Sequence, residues 1–279
     1  MRIRPLLAAA LALVALGLGP APANAASYDD IIERGRIIVA VYRDYPPFSS
    51  RRDGELVGVD IDLAREMAGR LNLAVEFMEL TAGETVDDDL RNGVWKGHYL
   101  ERRVADVMMH IPTDRVFALR NAEAVVFAPY FRERVVLARD TEKIHSGDGL
   151  GIFAEEKVGV ELDSLADHFL TGWQGGRLIA NVVHFPTVAK AAEALGRGEV
   201  AAVLATESEL AAALGGRFPL GSMEMPGLAK PSWELGLAVK ESNRQLAYAL
   251  EDVIAAMRRD GAVGSTFRRH GLPYAPPEE

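Results

Sequence analysis

The residues best suited to chemistry in this 279-residue chain lie in one stretch, "DYPPFSSRRDGELVGVDID" (44–62). Tyr45 and Phe48 bracket Pro46 and Pro47 directly after a strand-like apolar run, and Asp60 and Asp62 follow. The two prolines remove two backbone donors and fix two φ angles, so the strand must stop and the loop is stiff. A stiff, aromatic-bearing loop at a strand end suits the holding of a small molecule. Catalytic patterns are missing from the sequence: it has no Gly-x-Ser-x-Gly elbow, phosphate-binding glycine loop or dinucleotide fingerprint. The six histidines show neither His-x-His nor His-Glu-x-x-His spacing. His98 and His110 would meet only if "WKGHYL" folded over them, so structural histidines are expected. Asp87, Asp88 and Asp89, after Glu84, lack the alternation of a calcium loop and read as a solvated helix start. The expectation is a binding protein, not an enzyme, with no cofactor and no metal.

Positioning such a loop requires a scaffold, and its elements are legible. Short apolar runs at 37–42, 73–80, 105–111, 134–139, 157–162, 181–185, 200–205 and 234–240 alternate with helical stretches. That alternation predicts an α/β fold with parallel strands buried on both faces. Asp60 to Asn72 places Leu63, Ala64, Met67, Ala68 and Leu71 on one face, with both aspartates at the end where the helix dipole favours negative charge. Thr187 opens a helix that Gly196 and Gly198 stop, and Ser242-x-x-Gln245 reads as a capping box opening the longest helix. Polar, glycine-rich segments at 139–153 and 225–233 suggest that the chain leaves one lobe and returns to it. The boundaries expected are 26–138 with 232–279 for the first lobe and 139–231 for the second. Strand-end loops of both lobes would then face a shared cleft.

Composition narrows the partners. Residues 1–25 carry Arg2 and Arg4, an apolar run from Leu6 to Leu18 and Ala23-Asn24-Ala25, the pattern of a secretory signal peptide cleaved near Ala25. The run is too short for a membrane span, so an exported chain without membrane insertion is expected. Without cysteine it has no disulfide or thiolate metal site. Removing Arg2 and Arg4 leaves 29 basic against 40 acidic residues, a net charge of −11 that disfavours nucleic acid and anionic membranes.

The order "IIVAVYRDYPPFSSRRDGELVGVDIDLAREMAGRLNL" resembles the first lobe of the bacterial extracellular solute-binding proteins of family 3. "PYFRERVVLARD", "KVGVELDSLADHF", "TVAKAAEALGRGEVAAVLA" and the stretch from "LGLAVKESN" to "RRHGLP" extend the resemblance over nearly the whole chain after residue 25. It implies a two-lobed periplasmic binding fold of type II with two hinge-crossing strands, closing on a small-molecule ligand and docking as a monomer on an ABC permease. Tyr45 and Phe48 would wall the cleft, with Met109, His110, Thr113, Arg115, Ser164, Thr206 and Glu207 as further ligand-binding candidates.

Several of those positions depart from the amino-acid binders. An amino-acid ligand needs an arginine for its carboxylate and an acid for its ammonium. "ADVMMHIPTDR" is shorter than the family's stretch and carries Met108, Met109 and His110 where small hydroxyl residues are usual, leaving Arg115 or Arg120 to face the cleft. Leu162-Asp163-Ser164 replaces a turn of small residues whose backbone donors meet a carboxylate. Thr206 stands where the ammonium-binding acid is usual, with Glu207 next. A ligand other than a standard α-amino acid is therefore expected. "DVMMHIP" with "PYFRE" also resembles periplasmic accessory proteins of PQQ-dependent methanol dehydrogenases, which implies docking on such a dehydrogenase as the alternative. A dehydratase branch shares the fold, with Glu207 as its general acid, and is the remote alternative.

Overall fold

The computed structural model describes residues 26–100 and 102–278. The expected signal peptide lies outside the described residues. Helix α1 (Tyr28–Glu33) begins at a reciprocal cap between Ser27 and Asp30 and leads into β1 (Arg36–Tyr42). A hairpin of β2 (Ser50–Arg52) and β3 (Glu55–Val57) precedes α2 (Val59–Arg70) and β4 (Ala74–Leu80). Then come α3 (Val86–Leu90), β5 (Val107–Pro112), α4 (Arg115–Arg120) and the long β6 (Ala124–Arg139). The second half holds β7 (Val158–Glu161), α5 (Leu165–Gly172), β8 (Val182–Phe185), α6 (Val188–Gly196), β9 (Ala202–Thr206) and α7 (Glu207–Leu214). The chain closes with β10 (Leu220–Gly221), β11 (Ser232–Lys240), α8 (Arg244–Arg259) and α9 (Ala262–Arg269).

One nine-stranded sheet runs β4-β1-β5-β11-β6-β9-β7-β8, with β10 paired to β6. Strands β4, β1 and β5 are mutually parallel, as are β8, β7 and β9. Strands β6 and β11 are antiparallel to their neighbours, so the sheet is mixed rather than wholly parallel. The first eleven residues of β6 pair with β11 up to Arg134↔Ser232, and its last five pair with β9 from Val135↔Thr206. This strand thus carries the chain from one half to the other, and residues 222–231 bring it back to β11. Each half of the sheet is sandwiched between two apolar clusters, one built around Ile61, Met67 and Phe267 with Met108 and Phe117 opposite, the other around Phe153 and Leu170 with Leu195 and Leu210 opposite.

Two local expectations change. The strand at 134–139 begins ten residues earlier, because Pro129 sits at a bulge where Ala128 adopts φ 50° and a proline displaces no ladder bond. The longest helix starts at Arg244, one residue later than the predicted capping box places it. Residues Glu241–Asn243 form a 3-10 turn, Asn243 is the N-cap without a side-chain cap bond, and its amide donates to the Ala26 carbonyl instead.

Candidate functional site

The loop after β1 is closed by its own backbone. The Tyr45 N–H donates to the Ser49 carbonyl (2.7 Å), and the Phe48 and Ser49 N–H groups donate back to the Tyr45 carbonyl. The carbonyls of Pro47 and Phe48 then accept from the N–H groups of Val59 and Asp60 (3.1 and 3.0 Å). The proline loop thereby satisfies the first free donors of α2, which any helix start must lose to water or to a partner. Gly58 makes this approach possible: at φ 137° a Cβ would lie 2.1 Å from the Phe48 carbonyl oxygen. Phe48 points inward and is fully buried, stacked on Tyr45 and tilted against His110, with ring centroids 5.5 and 4.2 Å apart. Tyr45 remains half-exposed at the surface of the loop.

Strand β5 supplies the floor. Met109 packs into the cluster that covers α2 and Met108 into the opposite one, so both methionines are core residues. His110 is different. Between Met108↔Ala238 and Ile111↔Gly236, two residues of β5 face Leu237 alone, and His110 adopts φ 64° at this bulge. A second bulge lies across β11, where Phe127 to Phe131 of β6 face only Leu235 to Leu237. Bulges re-aim side chains, and here they turn His110 and Tyr130 toward one carboxylate. Asp60, 2% exposed, accepts from the Tyr130 hydroxyl (2.8 Å) on Oδ1 and meets His110 Nδ1 (3.1 Å) on Oδ2. The tautomer with hydrogen on Nδ1 is the one that lets His110 donate to the Asp60 carboxylate. Burial beside Asp60 pushes the Tyr130 hydroxyl well above its usual range.

Three cavities meet at Tyr45. The first, about 470 Å³, is lined by the Tyr45-Pro46-Pro47 loop and Gly58 on one side and by Glu161, Val188 and Glu209 on the other. The second, about 210 Å³, shares Tyr45, Glu161, Val188 and Glu209 and adds Ser164, Thr206 and Trp233. The third, about 500 Å³, is walled by Tyr42, Tyr45, Trp233 and Leu235 with His110 at its base. The carboxylates of the first two come from strand and helix ends. Glu161 ends β7 and accepts from the Val188 N–H (3.0 Å), and Glu209 lies in the first turn of α7, bonded by the Thr206 hydroxyl. Burial raises the Glu209 carboxyl to about 7, against the pull of the Thr206 bond, and burial also raises Glu161. Glu133, buried at the β6 crossing, is raised by burial too; its Oε1 accepts from the Arg134 N–H (2.9 Å). Arg52 and His270, at the edge of the first cavity, are the basic side chains lining these two spaces. Among the described residues no group of three or more His, Asp or Glu is placed to hold a metal ion, and no helix is long and apolar enough to cross a membrane.

Residues 37–96 match the model of the bacterial extracellular solute-binding proteins, family 3. The probable ABC transporter arginine-binding protein ArtJ of Chlamydia trachomatis serovar D is 24% identical over 248 residues, covering 85% of this chain and 86% of that protein. Both matches liken the chain to the family 3 solute-binding proteins, one over part of the chain and the other at low identity. Solved structures share the fold. An ancestral cationic amino-acid solute-binding protein superposes with a TM-score of 0.69 at 19% identity, covering 87% of this chain and 98% of that one. An amino-acid ABC transporter substrate-binding protein of Streptococcus pneumoniae, bound to L-arginine, gives 0.62 at 18% identity with 88% and 98% covered. The solute receptor for L-cysteine of Neisseria gonorrhoeae gives 0.59 at 22% identity with 89% and 95% covered. Two-lobed periplasmic binding proteins of type II are thus the fold class of this chain.

Against this family frame, the candidates read from sequence divide. Tyr45 lines all three cavities, Ser164 and Thr206 the second, and His110 the third. Ser164 and Thr206 also cap α5 and α7. Phe48 and Met109 lie in the core because the proline loop turns one ring inward and β5 alternates. Thr113 donates its N–H to the Glu234 carbonyl and keeps a buried hydroxyl without a partner, outside the three cavities. Arg115 is exposed as the first residue of α4, and Arg120 is exposed and bonds Asp87 (3.3 Å), so neither guanidinium lines the cavities. Glu207 is tied by two Arg134 donors (2.6 and 2.7 Å) and does not line the three cavities. The acid facing the cleft is Glu209. Its signal was present as Thr206-x-x-Glu209 before an apolar run, the spacing of a helix start. Asp89 also differs from a solvated residue: it is buried, accepting from the Tyr42 hydroxyl (2.8 Å) and the Gly83 N–H (2.7 Å).

Proposed function

We propose that this protein is a periplasmic solute-binding protein that captures an organic cation between its lobes, for transport through an ABC permease or for sensing. The observation that carries the reading is the pair Glu161 and Glu209, half-buried carboxylates lining the same two cavities opposite Tyr45. Burial opposes their ionisation, and a bound ammonium or guanidinium offsets that cost. Tyr45 adds a π-face to which cations are attracted. The names of the relatives, an arginine-binding protein and a cationic amino-acid binder, support a cationic ligand.

The ligand we infer is not a standard α-amino acid: neither Arg115 nor Arg120 lines the cavities, and the arginines that do, Arg52 and Arg43, are exposed. We place the lobe boundaries at 26–138 with 232–279 and at 139–231, with β6 and β11 at the hinge. The cation then contacts both lobes, so its binding favours the closed form by the differential affinity. Catalysis is not part of this reading. Docking on a PQQ-dependent dehydrogenase with a filled cleft is less well supported, since Met109 packs in the core and the cavities stay open.

Calorimetric titration with arginine and its decarboxylated analogue agmatine tests the reading. Agmatine is expected to bind at least as tightly as arginine. Binding of neither, or arginine tighter by tenfold or more, overturns it.

A further inference from the structure

The third cavity, about 500 Å³, has a composition unlike the other two. Its walls are rings and aliphatic groups: Tyr42, Tyr45, Trp233, Leu235 and Pro112. Arg43, Asp44 and Glu84 also line it from exposed positions, and of its less exposed polar groups Tyr42 and Asp89 are committed. The Tyr42 hydroxyl donates to Asp89, and both Asp89 oxygens are occupied, by Tyr42 and by the Gly83 N–H. His110 is the exception. It is 8% exposed, lines this cavity, and is held by Nδ1 to Asp60, while its Nε2 has no hydrogen-bond partner among the described residues. In the neutral tautomer that donates from Nδ1, Nε2 is the ring's acceptor. Bulged backbone, a buried aspartate and Tyr130 therefore all serve to aim one uncommitted acceptor into an aromatic-walled space.

We propose that this cavity is a binding subsite for an aromatic ring bearing an O–H or N–H donor, which His110 Nε2 receives. Tyr45 and Trp233 are shared with the second cavity, so the ring subsite abuts the acidic one. The ligand class that fits both is an arylalkylamine with a donor on its ring. This rests on the cation reading for the amine end, while the ring end stands on His110 and its walls. Asp60 and Tyr130, which do not line the cavity and reach it through His110, are positioning residues.

The test is calorimetry with four probes: tyramine, phenethylamine, 4-methoxyphenethylamine and agmatine. The hydroxyl donor should make tyramine about tenfold tighter than phenethylamine, the size of one net hydrogen bond. The methoxy analogue, which has the oxygen but no donor, should gain nothing over phenethylamine. In His110→Asn, a residue that tolerates positive φ, the tyramine preference should vanish. If that variant does not fold, the methoxy comparison on the unaltered protein decides. Equal binding of the three arylamines, or a preference that survives in His110→Asn, overturns the subsite. Agmatine binding without arylamine binding overturns it and leaves the cation reading standing. Failure of all four amines removes both.

Discussion

Replacing Glu209 by glutamine separates the stability of the empty cleft from its affinity. Burial raises this carboxyl from 4.5 to about 7 in the folded protein. Between those pH values the folded state holds a proton that the unfolded state has already lost. Stability is therefore fully present below pH 4.5, falls as pH rises through 7, and stays lowered above it. At about 1.4 kcal/mol per pH unit, the gap amounts to roughly 3 kcal/mol. Glutamine has nearly the same shape, can still meet the Thr206 hydroxyl and does not ionise. The ligand-free variant should match the unaltered protein at pH 4 and be up to about 3 kcal/mol more stable at pH 8. A bound cation reverses the balance, so the variant should lose at least tenfold in agmatine affinity at pH 8. Urea unfolding followed by tryptophan fluorescence at the two pH values, with calorimetry at pH 8, reads both. Equal stability at pH 8 would refute the buried-carboxylate argument, and unchanged affinity would remove Glu209 from the site.

Two further substitutions distinguish wall from core. Tyr45→Ala should weaken cation binding about tenfold, the scale of a lost cation–π contact, without unfolding the protein; calorimetry and a thermal melt check both halves. Phe48→Ala should instead destabilise the fold by about 3–5 kcal/mol, as large-to-small core changes do, measured as a lowered urea midpoint.

Much of the scaffold is readable in the sequence because it depends on local patterns. The runs that became β1, β4, β7, β8, β9 and β11 are short and apolar, and helix starts such as Thr187 announce themselves. Pairing direction is a long-range property, which is why the antiparallel β6 and β11 could not be told from parallel strands. The first half of β6 was hidden by Pro129, whose meaning changed once a bulge received it. In the site, Tyr45, Ser164, Thr206 and His110 were legible as types at strand and helix ends. The link from Asp60 to His110 and Tyr130 was not, since two bulges on different strands create it. Glu209 was passed over for Glu207 because the two are two residues apart on a helix, and only packing decides which one Arg134 claims.

Strand β6 has a further consequence for how this molecule tolerates change. Tyr130 fastens it to the buried aspartate under the proline loop, and Arg134, four residues on, fastens it to the helix that carries Glu209. The distance between the two halves of the cleft is thus written into a fixed number of residues, as a ruler is. Alternate residues of a strand face opposite sides, so a single insertion or deletion within 131–133 would turn one of the two fastenings away from its partner. Substitution can tune what the cleft holds; the length of this short segment is the dimension that cannot drift.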